Sequence, residues 1–352
     1  MPFVQVVDVK ENLHLADHTK QRISKLAQPK SVFVPAGEVL VTVQGSIGRV
    51  AITQYPSYID RTLIVFEKYN TRTDKYFWAY TLQRKFEMEK RKAPGGTIKT
   101  ITKKALSDFS IPITNYEEQG YLGTFFLKVD KLLTLYERKT RLLGKVRTFL
   151  TQRLFSNSSK VSLYFDNKNW SEHKISEFLT ERNEKVVPNS SIPLVSFTVE
   201  KGVTPKSKRY NREFLVKDDN KKYKITKKDD IVYNPANLKF GAIARNKFGN
   251  AAFSPIYVTF ITKLNPAFTE FLVRRKNFIN LALKYQEGTV YERMAVKSKD
   301  FLNLKIYLPN SSRDINHIAQ ILQSLDTLVS LNKNKVSLIT LIKKELLNTM
   351  FI

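Results

Sequence analysis

The chain has no cysteine among its 352 residues, which excludes disulfides and thiolate metal sites and fits an intracellular, cytoplasmic protein. It has no apolar run of about 18 residues, so no membrane span is expected. Met1 is followed by Pro2, Phe3 and Val4 instead of a basic leader, so no export signal is expected either. Histidine is scarce, four in all. His14 and His18 could share a helical face, but no third ligand stands at metal-site spacing, and no metal site is expected. Acidic residues are also few: 32 Asp and Glu against 59 Lys and Arg leave a net charge of +27.

A chain this basic meets polyanions, nucleic acid or anionic lipid. The lipid reading fits poorly, because the two long amphipathic segments are patterned for helix pairing and much of the basic charge lies between them. Enzyme signatures are weak. A phosphate-binding Gly-x4-Gly-Lys-Ser/Thr loop is missing. Asn234-Pro235-Ala236-Asn237 lacks the second proline and the aromatic of the Asn-Pro-Pro-aromatic tetrad of adenine methyltransferases, and no glycine-rich loop precedes it. Glu87, Glu89 and Lys90 read as the wet face of a charged helical run.

What is present is bulk and repetition. A hydrophobic share of 42% with 12% aromatics supports real cores, and the length calls for two domains with connecting elements. Residues 117–155 carry a heptad seam, Leu122, Phe126, Val129, Leu133, Tyr136, Thr140, Leu143, Arg147, Leu150 and Leu154. The sequence writes this helix twice. Ile318, Leu322, Leu325, Val329, Ile339 and Leu346 answer Leu122, Phe126, Val129, Leu133, Leu143 and Leu150, with Val336 answering Thr140, and the offset is constant (326 − 130 = 196 and 351 − 155 = 196). Two helices of this length predict an antiparallel coiled-coil pair, its register fixed by the polar seam residues Thr140, Arg147, Asn332 and Lys343. A second stripe, Leu132, Leu135, Lys139, Leu142, Val146 and Phe149, answered by Leu328, Leu331, Lys335, Leu338, Ile342 and Glu345, gives each helix a second face to bury.

The segments before each helix repeat as well. Residues 37–43 form a strand entering the turn Gln44-Gly45-Ser46-Ile47-Gly48, followed by strands at 49–52 and 62–66. Residues 229–233 answer 37–41, residues 240–244 answer 47–51, and residues 257–260 answer 63–66. Residues 76–92 read as a helix, broken by Ala93-Pro94-Gly95-Gly96, and Asn115 with Glu118 caps the first long helix. The expected fold is α+β: a strand-rich domain over 1–115, a helix over 116–155, a second domain over 156–310 and a second helix over 311–352. The first domain is short by roughly 40 residues on the repeat arithmetic, for residues 170–191 have no counterpart ahead of Met1.

Together, Ile111-Pro112-Ile113, Glu117-Glu118-Gln119, the Lys-, Arg- and Leu-rich helix to Phe155, and the turn Lys201-Gly202-Val203-Thr204-Pro205 resemble the specificity subunit of type I restriction-modification systems. The first unit departs from that pattern in its missing opening segment, and the second helix departs in beginning Ser311-Ser312-Arg313-Asp314. The resemblance implies a chain without catalysis of its own. Each domain would read one half of a bipartite double-stranded DNA target, and the helices would act as a ruler for the spacer. Partners would be methyltransferase subunits, expected as two copies, and restriction subunits, which would carry S-adenosylmethionine, ATP and Mg; this chain would bind no cofactor. A free-standing sequence-specific DNA-binding protein is the alternative.

DNA contacts are expected from loops, where Arg and Lys take phosphates or guanine edges and Asn or Gln pairs with adenine. In the first domain these are Gln44, Ser46 and Arg49 at the glycine turn and Arg91, Lys92 and Lys99 around the Pro-Gly-Gly break. In the second they are Lys206, Lys208, Arg209, Tyr210 and Arg212 after the Thr-Pro turn, and Asn237, Lys239, Arg245, Asn246 and Lys247 around Gly241.

Overall fold

The computed structural model describes residues 1–10, 12–92, 101, 103–155, 170–206, 221–288 and 294–351. They form two units, residues 1–140 with 331–352 and residues 141–330. The fold is α+β, and both heptad segments are helices of 39 residues, Tyr116–Leu154 and Ser312–Met350. The division between units falls inside both helices, so each unit owns half of each.

β-Branched runs make the central strands. In the first unit Val39–Thr42 lies between Val50–Ile52 and Leu63–Phe66, both antiparallel, with Leu40 opposite Ala51 and Val65. In the second unit Ile231–Tyr233 lies between Ile243–Arg245 and Val258–Thr262, with Val232 opposite Ala244 and Thr259. The pairs that the sequence repeat aligns are thus the pairs that share a register, at offsets 232 − 40 = 192, 244 − 51 = 193 and 259 − 65 = 194. A second small sheet also repeats: Val32–Val34 pairs antiparallel with Ser57–Ile59 as Tyr223–Thr226 pairs with Ala251–Phe253. The second unit carries additional strands from residues 170–186. Trp170–Lys174, Leu179–Glu181 and Lys185–Val186 each pair with a strand of that unit.

Val39, Val41, Val50, Tyr80 and Phe86 fill the first core with Phe126 of the long helix. In the second, Tyr233 stacks on Phe260 at 5.7 Å and on Phe301 at 4.9 Å, and Phe155, at the end of the first long helix, packs on Phe268 at 5.3 Å.

The helix start follows from its sequence. Asn115 Oδ1 accepts from the Glu118 amide at 2.9 Å, satisfying one orphan donor of the first turn. Gln119, buried, donates to the Thr114 carbonyl at 2.8 Å and accepts from the Asp74 amide at 3.0 Å, tying this helix to the start of Lys75–Lys92. The approach is so close that a Cβ on Gly123 would lie 2.5 Å from Asp74 Oδ1 and 2.8 Å from the Phe77 nitrogen. Gly123→Ala gains about 1 kcal/mol of helix propensity, but the overlap with backbone costs about 1–3 kcal/mol. The expected outcome is net destabilisation of about 1 kcal/mol, read by thermal or urea unfolding; a stabilised variant would show that the two helix starts separate freely.

The seam pairs antiparallel within each unit. In the first, Phe126 meets Phe351 at 5.3 Å, Asp130 meets Lys343 at 2.5 Å, and Lys335 lies 5.6 Å above the Tyr136 ring. In the second, Arg147 pairs with Asp326. These two ion pairs are images of one another, since 326 − 130 = 196 and 343 − 147 = 196. The polar seam residues Arg147 and Lys343 therefore fix register as their pattern required. The expectation that the second stripe is buried is corrected. Leu132, Leu135, Leu142, Val146 and Phe149, with Leu328, Leu331, Leu338 and Ile342, are 43–61% exposed, because the two-helix seam uses the a and d positions and leaves the neighbouring face to solvent.

Candidate nucleic-acid interface

Each unit presents one strand–turn–strand element at the place where the repeat has its glycine. In the first, Thr42 Oγ1 accepts from the Arg49 amide at 3.0 Å and donates to the Ser46 carbonyl, closing the turn from within. Ile47 is buried beneath it while Gln44 and Ser46 stand exposed at its tip. Gly48 has φ +75°, and a Cβ there would sit 2.6 Å from Phe86 Cβ, so glycine is required both by the backbone and by the core below. Arg49 is partly held down, its guanidinium donating to the Val9 carbonyl at 3.4 Å.

In the second unit the turn is a 3-10 helix, Pro235–Phe240, whose cap is Asn234: its side chain accepts from the Ala236 and Asn237 amides at 3.1 and 3.3 Å. The Asn-Pro-Ala-Asn sequence is thus a helix cap with proline at the first position. Gly241 ends it at φ +80°. Asn237 and Lys239 are exposed, and the Lys239 ammonium lies 5.0 Å above the exposed ring of Phe240. The paired tips offer amides, a hydroxyl and a cation with aromatic support, donors and acceptors that match base edges and phosphates.

The other expected contacts divide. Lys206 is exposed at the end of Gly202–Pro205. Arg91 and Lys92 end the helix Lys75–Lys92. Lys99, Lys208, Arg209, Tyr210 and Arg212 lie outside the described residues. Asn246 is buried: its amide donates to Thr226 Oγ1, Lys227 O and Gly249 O at 3.1, 2.9 and 2.7 Å, and its carbonyl oxygen accepts from the Phe248 and Gly249 amides. Every group on it is spent holding the turn. Arg245 is half committed as well, to Asp229 at 3.4 Å and Glu270 at 3.3 Å. His14 and His18 lie in non-helical chain, so the shared helical face does not form.

Sequence reading missed a basic recess in the second unit. Arg147, Lys247, Arg274 and Arg275, with Glu270 and Asp326, line a cavity of about 220 Å³. Glu270, buried, takes Lys247 at 3.0 Å and Arg274 at 3.3 Å. Arg275 is held by the carbonyls of Phe155 at 3.0 Å and Leu272 at 3.2 Å, and burial lowers its pKa to about 10. Four cations against two carboxylates leave the recess positive, suited to a phosphate. These residues come from four distant stretches, and only the fold assembles them. Among the described residues no group of three or more His, Asp or Glu could hold a metal, and no described helix is long and apolar enough to cross a membrane.

Residues 1–143 match the family described as the type I restriction modification DNA specificity domain. The type I restriction enzyme MjaVIII specificity subunit of Methanocaldococcus jannaschii is 22% identical over 368 aligned positions, which cover 95% of this chain and 83% of that protein. The S subunit of a type I restriction-modification system from M. genitalium is similar in structure with a TM-score of 0.61 at 16% identity, covering 100% of this chain and 92% of that one. A chain solved in work on complex assembly and conformational transition of the type I restriction-modification system gives a TM-score of 0.51 at 12% identity, covering 99% of this chain and 90% of that one.

Proposed function

We propose that this protein is the DNA-recognition subunit of a type I restriction-modification complex, a reading supported by the match of residues 1–143 to the type I restriction modification DNA specificity domain and by the similarity to a specificity subunit over 95% of the chain. It reads a bipartite target, one half-site per unit, and directs methyltransferase and restriction subunits to it. Methylation and cleavage, with their S-adenosylmethionine, ATP and Mg, belong to those partners.

The observation that carries this reading is the duplicated turn. One strand register, written twice, holds tips of different chemistry, Gln44 and Ser46 in one unit and Asn237 and Lys239 in the other. A common frame with dissimilar tips is what two readers of different half-sites need. The test is a double variant, Asn237→Ala with Lys239→Ala, in the assembled complex. It is expected to relax one half-site by about 1–3 kcal/mol per base pair read, leaving the other half-site intact. Equal loss at both half-sites would contradict the assignment.

The exposed apolar stripes support docked partners over a free-standing protein, since contiguous exposed apolar surface marks interaction sites. Leu135→Asp with Leu338→Asp is expected to weaken binding of the methyltransferase at least tenfold in a pull-down titration while leaving the melting temperature within about 2 °C, these being surface positions. Undiminished association would place the partner elsewhere.

A further inference from the structure

We propose, on the DNA-recognition reading, that Phe240 is the second unit's reader of a methyl group: its exposed ring takes the C5 methyl of a thymine in the major groove of that unit's half-site.

The ring stands at a place where the first copy keeps its side chain inside. Gly241 at φ +80° answers Gly48 at φ +75°, so Phe240 holds the position of Ile47. Ile47 is 4% exposed and belongs to the first core, whereas Phe240 is 64% exposed, the most of any phenylalanine among the described residues. The cause is one extra residue in the turn. The offset between the copies is 192 before it and 193 after it (232 − 40 and 244 − 51), and the longer turn winds into the 3-10 helix Pro235–Phe240. Leu238, fully buried, fills the core beneath it as Ile47 does in the first unit. At three residues per turn, the residue two places further on leaves by another face. The fold below is complete without it.

The ring is also held still. Asn234 caps the turn from the front, Pro235 occupies its first position, and the Gly241 amide closes it on the Leu238 carbonyl at 2.8 Å. A Cβ on Gly241 would lie 3.7 Å from Val199 Cγ1, so the end of the turn rests on the loop between Val195–Thr198 and Gly202–Pro205. A side chain carried on a fixed turn gives up little freedom on binding.

Its surroundings point to what covers it. The Lys239 ammonium lies 5.0 Å above the ring, and Asn237 stands exposed on the same turn. An apolar protein surface laid on the ring would take that ammonium out of water, which is costly unless the partner pairs it. In the major groove the same approach sets the ammonium beside phosphates and the ring beside base edges. There thymine, alone of the four bases, presents a methyl group to an apolar side chain. One short turn thus offers a cation for the backbone, an amide for a base edge and a ring for a methyl.

The test uses the full chain assembled with its methyltransferase partner, and a duplex carrying the half-sites that this complex selects. Each thymine of the half-site tied to Asn237 and Lys239 is replaced in turn by deoxyuridine, which removes the methyl and keeps the base pair. At one position the unaltered complex is expected to bind the deoxyuridine duplex about fourfold more weakly, the effect of one buried methyl-sized group. The complex carrying Phe240→Ala should bind the thymine and deoxyuridine duplexes alike. Its melting temperature should stay within about 2 °C, since the ring is a surface group, and the base substitution leaves the protein untouched in any case. The proposal is overturned if no thymine of that half-site responds, if the Phe240→Ala complex keeps the discrimination, or if the variant weakens association with the methyltransferase and leaves base preference as it was. A selected half-site indifferent to the methyl removes this proposal and leaves the DNA-recognition reading standing; absence of any selected half-site removes both.

Discussion

Asp130→Ala should destabilise the first unit by about 3 kcal/mol. The carboxylate is buried, accepts from the Tyr80 hydroxyl at 2.7 Å and pairs with Lys343, whose ammonium also sits 5.2 Å above the Tyr80 ring. Removing it leaves a nearly buried cation and a buried phenol unpaired, a loss of about 3–5 kcal/mol when a buried pair is broken from one side. For a unit of this size that is a fall in melting temperature of roughly 10 °C. The contact also raises the Tyr80 pKa, through burial first and the Asp130 charge second. The repeat supplies its own control. Arg147 and Asp326 make the same pair with side chains 38% and 41% exposed, so Asp326→Ala should cost only about 0.5 kcal/mol. Replacing both members of the buried pair, Asp130→Leu with Lys343→Met, should recover most of the loss, because a satisfied apolar pair needs no compensation. Equal effects at Asp130 and Asp326 would show that burial does not decide the strength of this seam.

A second large effect is expected from length. Inserting four residues in each long helix, near Thr140 and Val336, adds about 6 Å of helix, close to two base pairs at about 3.4 Å each. A four-residue insertion locally unwinds a coiled coil without abolishing its seam. The complex should then prefer half-sites of unchanged sequence separated by about two more base pairs, and should lose about a hundredfold or more in affinity for the original spacing. Unchanged spacing would remove the ruler role from the helices.

The parts of this protein that were legible in its sequence are those where identity of pattern stands in for geometry. The 196-residue offset aligned the two long helices and marked Arg147 and Lys343 as polar seam residues, and the strand repeat aligned residues 37–41 with 229–233, because side-chain period is set by the local pattern; the ion pairs to Asp326 and Asp130 came only with the fold. The Asn115 cap was legible for the same reason. Long-range assembly was not. That Arg147, Arg274 and Arg275 line one recess, or that Asn246 is consumed by Thr226 and Gly249, depends on which loops the fold folds back upon themselves. The exposed second stripe shows the limit of periodicity, which marks an apolar face without saying whether this chain or another covers it.

The central claim, one half-site per unit, is tested most directly by selecting bound duplexes from a random DNA pool with the full chain in complex with its methyltransferase partner, followed by sequencing. The account predicts two short motifs at one fixed separation, with the motif tied to Asn237 and Lys239 degraded in their double variant. A single enriched motif, or none from a folded complex, would contradict it.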